Sequence, residues 1–418
     1  MKITKLRVLT AAMLAGFSGL ASASAFQLLE QNASGLGVAY AGTAAVADNA
    51  STVFFNPAGM TQLRGRQVSM GVVAIGPSYE FRNEGSSGTG LLTPAVVGSN
   101  GGDAGGWAAV PNAFLSWQLS PTLFAGVGIS APFGLKTEYD DNSWVGRFQS
   151  LKSELKTVNI NPSLAFKASD VVSLGLGVNY QMAKAEMSSM TPLGKSTLKG
   201  DDSAWGWNAG ALFTLSPAMR VGVAYRSAVS YNLTGEQTVG ATAIPASAKM
   251  KLPDVLTLSV WQQVSDRWEA MGDLSYTAWS KLGTLNVVRL ADARVIGAEH
   301  FAYKDSWRLS WGAAYKLNND TKLKFGLAGD RTPTRDTTRS ARVPDNNRIW
   351  LSLGGQWKPG KDTTLDLGYT YLYVKDPAIN QTTTFRSTTT GAVIGTSTLR
   401  GRYDDSCHIL GLQFTQNF

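Results

Sequence analysis

Long stretches of the chain alternate between large apolar and small or polar residues with a period of two, the spacing of a strand with one apolar face. Trp205, Trp207, Ala209, Ala211, Phe213 and Leu215 are interleaved with Gly206, Asn208, Gly210 and Thr214. Trp307, Leu309, Trp311, Ala313, Tyr315 and Leu317 alternate with Arg308, Ser310, Gly312, Ala314 and Lys316, and Leu365, Leu367, Tyr369, Tyr371 and Tyr373 with Asp366, Gly368 and Thr370. Tight turn signals separate such stretches at Ser120-Pro121, Ser169-Asp170, Ser216-Pro217, Ser265-Asp266, Asn318-Asn319-Asp320 and Pro359-Gly360-Lys361-Asp362. A glycine often follows a few residues into the next strand, as at Gly126, Gly175, Gly222, Gly326 and Gly368. Six short turns on one side imply six hairpins, and the connections on the other side are long and polar.

The pattern predicts strands over 66–83, 105–119, 122–135, 153–168, 171–187, 204–216, 219–238, 248–265, 267–290, 302–317, 321–334, 346–358, 362–378 and 400–418. A soluble sandwich would bury the large face against a second sheet; an outer-membrane barrel turns it to lipid and lines a lumen with the other. Long strands, unequal turns and aromatic residues beside the short turns (Trp117, Phe166, Phe213, Trp261, Trp268, Tyr315, Trp357) favour the barrel. So does the last strand, in which Leu410, Leu412, Phe414 and Phe418 alternate with Gly411, Gln413, Thr415 and Asn417 to the final residue. The expected fold is all-β, a fourteen-stranded antiparallel transmembrane barrel spanning 66–418. Eight strands already leave a lumen that side chains just fill, so fourteen require water or a plug. The segment 26–65, poor in charge and rich in Ala, Gly and Ser, suits a plug, with helix-compatible stretches at Leu28–Asn32 and Tyr40–Asn49.

Composition narrows the alternatives. Charged residues make up 16%, against about 25% in a soluble domain, yet the only long apolar run lies between Val8 and Ala25, which excludes a bundle of membrane helices. Basic Lys2, Lys5 and Arg7, an apolar Leu9 to Leu20 and the small residues Ala21 to Ala25 read as a secretory signal peptide over 1–25, cleaved after Ala23 or Ala25. Removing those three basic residues lowers the formal charge from +8 to +5. The remainder holds no run of five Lys and Arg, so no nucleic-acid partner is expected. A lone Cys407 and two distant histidines, His300 and His408, offer no metal cluster, and no cofactor is expected.

Several stretches resemble the FadL-type outer-membrane transporters of long-chain fatty acids, a family that includes channels for aromatic hydrocarbons. In the N-terminal segment they are Phe26-Gln27-Leu28, Ser34-Gly35-Leu36-Gly37, Ala39-Tyr40-Ala41-Gly42, Ala47-Asp48-Asn49-Ala50 and Asn56-Pro57-Ala58. Further along they are Phe133-Gly134-Leu135, Thr137-Glu138-Tyr139-Asp140, Leu252-Pro253, Tyr276-Thr277-Ala278-Trp279-Ser280, and Pro344-Asp345 followed by Arg348-Ile349-Trp350-Leu351-Ser352. The resemblance implies a barrel with an N-terminal hatch in the bacterial outer membrane, passing hydrophobic small molecules inward without energy coupling, through a pocket beside the hatch and a gap in the wall.

On that resemblance Phe26 and Met187 are pocket residues, Asn56, Pro57 and Ala58 are the hatch motif facing the kinked strand, and Ser130, Ala131, Pro132, Phe133 and Gly134 form the gap. Met187 shares lumen parity with Gly175, Gly177, Asn179 and Gln181, and a proline cannot donate to a ladder. The bland readings of Phe26, Met187 and Pro132 are a packed aromatic, an interface methionine and a strand end. The family's basic pair for a carboxylate aligns with Ser189 and Glu299, neither of which neutralises an anion. Arg226, Arg308, Lys316 and Arg348 have lumen parity and could substitute, Arg226 and Arg308 being the candidate ligand residues, or could be ordinary wall charges. Outer-membrane lipid and lipopolysaccharide, and the barrel-assembly machinery through the C-terminal strand, are the other expected partners of a monomer. A plain diffusion pore is the competing channel. A lipid-acting enzyme is disfavoured because Ser406 and His408 share one strand face and Asp405 the other.

Overall fold

The structure, a computed structural model, describes residues 25–93, 97–140, 143–387 and 390–418; apart from Ala25 the expected signal peptide lies outside the described residues. Fourteen antiparallel strands form one sheet, several of them interrupted. They are β1 (Arg66–Asn83 and Ser87–Gly90), β2 (Ala108–Gln118), β3 (Leu123–Ser130 and Gly134–Glu138), β4 (Lys152–Lys167), β5 (Val172–Thr191), β6 (Gly194–Ser216) and β7 (Met219–Arg226 and Val229–Val239). There follow β8 (Thr242–Leu252 and Val255–Gln263), β9 (Trp268–Thr277 and Thr284–Arg289), β10 (Val295–His300 and Ser306–Lys316), β11 (Thr321–Asp330), β12 (Arg348–Trp357), β13 (Thr363–Val374 and Ala378–Arg386) and β14 (Val393–Asn417). Each pairs with its neighbour in the chain, and β14 returns to β1 from Gln67↔Asn417 to Asn83↔Gly401. Closure leaves no sheet edge, the condition for strands to cross a bilayer.

The alternation fixes which face is which. Trp205, Trp207, Leu309, Trp311, Leu367 and Leu412 are exposed on the outside, while Ser310, Thr370 and Asn159 are fully buried within. Outward aromatics of adjacent strands pair near both rims: Trp268 with Tyr315 at 4.8 Å beside the short turns, and Tyr276 with Trp307 at 4.7 Å and Tyr180 with Trp205 at 5.0 Å further out. Such cross-strand contacts add to the ladder bonds.

Strands extend further outward than the apolar pattern predicts. The β5–β6 hairpin turns at Thr191–Gly194 instead of leaving a loop over 188–203, and β8 and β14 start at Thr242 and Val393. Beyond the lipid both faces meet water or polar lumen, so the ladder continues where the alternation has faded. Conversely β11 ends at Asp330 rather than 334, and residues 331–347 turn into the barrel.

The N-terminal segment contains short helical turns at Leu36–Val38, Thr52–Phe55 and Pro57–Gln62. The helix-compatible stretches at 28–32 and 40–49 are turns and extended chain instead. Positive φ at Ala39, Tyr40, Gly42 and Ala47 interrupts any right-handed helix there. The segment is mostly buried and meets strands all round the ring, from β3 to β6 through Pro57–Gln62 and from β10 to β13 through Leu36–Val38. Glycines on the wall allow this approach: a Cβ at Gly222 would lie 1.9 Å from the Ala44 carbonyl oxygen, and one at Gly326 2.2 Å from the Val38 carbonyl carbon.

Candidate functional site

A window interrupts the wall between β2 and β3. Their ladder runs from Gln118↔Phe124 only to Ala113↔Ile129, although β2 continues to pair with β1 as far as Ala108↔Ile75. On its other side β3 leaves β4 after Ser130↔Asn159 and rejoins at Gly134↔Lys156. Ser130, Ala131, Pro132, Phe133 and Gly134 span the interruption of β3, and Pro132 lacks the N–H that a ladder needs.

Residues 26–31 close the window from inside. Leu28 N–H donates to the Pro132 carbonyl at 2.8 Å, Gly134 N–H donates to the Phe26 carbonyl at 2.8 Å, and Gln27 bridges Phe133. The Gln31 side chain donates to the Ala131 carbonyl at 2.8 Å and accepts from the Ala131 N–H at 3.0 Å. Thr157 Oγ1 accepts from Phe133 N–H at 3.0 Å and donates to its carbonyl at 2.6 Å. Short side chains and an extended N-terminal stretch therefore satisfy backbone groups that the break would strand.

Two spaces meet at this seal. The first encloses about 700 Å³, partly open to solvent, and is walled by apolar side chains including Phe26, Met187, Leu155, Leu233 and Leu285, with Arg342 at its border. Phe26 and Met187, proposed separately from the sequence, share it. Phe26 packs edge-on against Trp279 at 4.7 Å and Phe133 at 6.4 Å, which fixes the ring. The second, about 670 Å³, is more polar and is lined by Gln27, Pro132, Phe133, Arg226, Asp273 and Arg308.

Arg226 and Arg308 therefore come together, but away from Phe26's cavity, and each is tied to the N-terminal segment. Arg226 Nη2 donates to the Phe54 carbonyl at 2.7 Å and its guanidinium lies 4.0 Å from the centre of that ring; its Nη1 donates to Asn179. Arg308 Nη2 donates to the Ala39 carbonyl at 2.5 Å, with its guanidinium 4.7 Å from the Trp350 ring centre. Arg348 pairs with Asp345, whose other oxygen accepts from Ala25 N–H at 2.9 Å.

The Asn56-Pro57-Ala58 motif packs against glycines of β5 and β6. Asn56 Nδ2 donates to the carbonyls of Ala44 at 2.7 Å and Ala211 at 3.0 Å, while Gly175 faces Pro57 and Ala58 and Gly210 faces Asn56. The motif fastens one part of the segment to the wall, and Pro57 starts the helical turn that follows. Glu30 is buried in the same segment; burial pushes its carboxyl up to about 7, opposed by the charges of Arg348 and Arg308.

Ser189, aligned with one of the family's basic pair, lies near the tip of the β5–β6 hairpin opposite Ser196. Glu299 faces inward opposite Leu285 and is paired with Arg342, Nε to Oε2 at 3.3 Å. Arg342, Trp279 and Gln31 are the site residues that sequence reasoning passed over. A strand residue declares its direction by parity, whereas these lie on irregular segments.

The profile of the family described as "Outer membrane protein transport protein (OMPP1/FadL/TodX)" matches residues 14–418. Outer membrane protein P1 of Haemophilus influenzae is 34% identical over 412 residues, covering 87% of this chain and 89% of the relative. A long-chain fatty acid transport protein of Escherichia coli O6:H1 is 29% identical over 395 residues, covering 83% and 86% respectively. The crystal structure of a Pseudomonas aeruginosa FadL homologue superposes with a TM-score of 0.84 at 23% identity, covering 94% of this chain and 100% of that one.

Proposed function

The chain belongs to the FadL/TodX family of outer-membrane transport proteins, and on that premise we propose that it admits long-chain fatty acids by passive diffusion. The family is one of channels rather than enzymes. The observation that carries the reading is the apolar cavity bounded by Phe26 and Met187, next to a wall opening sealed by the same N-terminal stretch.

An open aqueous pore offers an alkyl chain no contact. Each methylene moved from water into the apolar cavity contributes about 0.8 kcal/mol. A chain seated against Phe26 presses on a residue whose carbonyl holds Gly134. Displacing Phe26 releases that bond and loosens the Leu28–Pro132 bond nearby, opening the wall between β2 and β3. The ligand then leaves sideways into lipid, where its chain stays desolvated, and Asn56-Pro57-Ala58 holds the rest of the segment as a hatch. The charge of Arg342, already met by Glu299, favours a second reading in which the cargo is an uncharged hydrocarbon.

Uptake of labelled oleate by cells lacking their own transporter, with and without this protein, tests the proposal. Uptake at background level rejects it, and the same assay with a labelled aromatic hydrocarbon tests the second reading.

A further inference from the structure

The strands that wall the cavity carry a second pattern on their outer face. Leu155 on β4, Ala185 and Met187 on β5, and Ala248 and Met250 on β8 turn inward, so Lys156, Lys184, Lys249 and Lys251 turn outward. The last three are exposed. Lys184 stands four residues beyond Tyr180, which pairs with Trp205 in the outer aromatic row, and is thus about 13 Å further along the strand. That is the level of lipid headgroups rather than of acyl chains.

Register sets like charges side by side at this level. Glu154 is directly opposite Glu186, and Lys156 directly opposite Lys184, arrangements that destabilise a sheet unless a counter-charge joins them. The acidic pair has its counter-charge, since Lys152 Nζ lies 3.3 Å from Glu154 and 3.4 Å from Glu186. The basic pair has none in common. Lys156 reaches Glu154 at 2.8 Å, while Lys184 forms no ion pair among the described residues, not even with Asp201 across from it on β6. Lys249 and Lys251 also form none among the described residues, and they face the neutral Asn232 and Ser230 of β7. Three strand spacings, about 14 Å, separate Lys184 on β5 from Lys249 on β8.

We infer that this outward face binds the phosphates of a glycolipid in the outer leaflet, one between Lys156 and Lys184 and one at Lys249 and Lys251. A phosphate supplies the anion that the lysine pair lacks. A lipid built on a disaccharide with a phosphate at each end presents two anions at a comparable separation, while its acyl chains lie along the apolar wall below. Each lysine at the level of an anionic lipid surface adds to the attraction. Lys156 pairs with Gly134, so the first phosphate sits at the upper end of the β3 interruption and holds a lipid beside the wall opening whatever the cargo.

The test measures binding of lipid A with both phosphates, of the same lipid stripped of both, and of inorganic phosphate to the purified full-length barrel in neutral detergent. A variant with Lys184→Gln, Lys249→Gln and Lys251→Gln is expected to bind the phosphorylated lipid at least about tenfold more weakly and the stripped lipid as before. A control with Arg64→Gln, Lys358→Gln and Lys361→Gln removes three charges beside the short turns and should change neither. Unchanged affinity for the phosphorylated lipid in the outer-face variant overturns the inference, and so does an equal loss in the control or for the stripped lipid. Inorganic phosphate binding as tightly as the phosphorylated lipid overturns the glycolipid as the partner. Should the triple variant not yield a heat-resistant barrel, Lys184→Gln alone decides: a loss of about threefold for the phosphorylated lipid supports the inference, and no loss overturns it.

Discussion

The carbonyl oxygen of Phe26 accepts a hydrogen bond from the Gly134 N–H at 2.8 Å, while the ring of the same residue lines the apolar cavity. One residue thus belongs both to the space a ligand would fill and to the seal of the opening it would leave by. No intermediate residue separates the cavity wall from the seal, so a ligand that shifts the Phe26 backbone, and not only its ring, would act on both. The energetic demand is modest, since a backbone hydrogen bond contributes about 1 kcal/mol net.

Locking the seal should stop transport. Gln27 and Phe133 form an antiparallel bridge, a spacing of about 4.5–5.5 Å between Cα atoms that suits a disulfide. In a Gln27→Cys, Phe133→Cys variant, oleate uptake is expected to fall to background under oxidising conditions and to recover on reduction. The oxidised barrel should keep its heat resistance. Full uptake by the oxidised protein would rule out the route between β2 and β3.

Filling the cavity should weaken binding in a length-dependent way. Ala185 on β5 lines the space together with Met187. Replacing it by Trp crowds a chain by about 1–3 kcal/mol, a loss of roughly tenfold or more in oleate affinity, with a smaller loss for octanoate. Equal losses for both chain lengths would point to a distorted wall instead of a filled cavity.

The strands were legible because lipid on one side and lumen on the other impose a period of two, as along Trp205 to Leu215. Above the lipid that constraint ends, which is why the outer part of the β5–β6 hairpin could not be read. The recurring glycines were visible in the sequence, but their reason was not. Gly126, Gly175, Gly222, Gly326 and Gly368 each face the N-terminal segment, meeting respectively Met60, Ala58, Ala44, Val38 and Leu36. Phe26 and Met187 were reached through resemblance and, for Met187, parity. Arg342 was not, because its direction is set by Glu299 and by the carbonyls of Lys152 and Ser188, contacts far apart in sequence.

Those glycine contacts predict how to loosen the lumen without breaking the wall. A Cβ at Gly222 would lie 1.9 Å from the Ala44 carbonyl oxygen, so Gly222→Val forces wall and segment apart. Overpacking of this kind costs about 1–3 kcal/mol. Single-channel conductance of the reconstituted variant should rise above that of the unmodified protein. Gly355→Ala, whose Cβ would meet nothing closer than 3.9 Å, should leave it unchanged. Equal conductance in Gly222→Val and the unmodified protein would show that the segment yields without opening a path.

Glu30 should make the hold of the N-terminal segment depend on pH. Burial raises its carboxyl from the ordinary 4.5 to about 7. Below about pH 4.5 the group is protonated whether the segment is seated or released, and pH has no effect through it. Between 4.5 and 7 the seated form keeps a proton that the released form loses, so seating weakens as pH rises. Above 7 the full penalty applies, roughly 3 kcal/mol for a difference of this size. Backbone amides of 26–41 should therefore exchange more slowly at pH 5.5 than at pH 8, after correction for the intrinsic rate. Glu30→Gln carries no titrating proton, so its protection should be the same at both pH values and should exceed that of the unmodified protein at pH 8. If the unmodified protein and the Gln variant respond to pH alike, another group governs the segment.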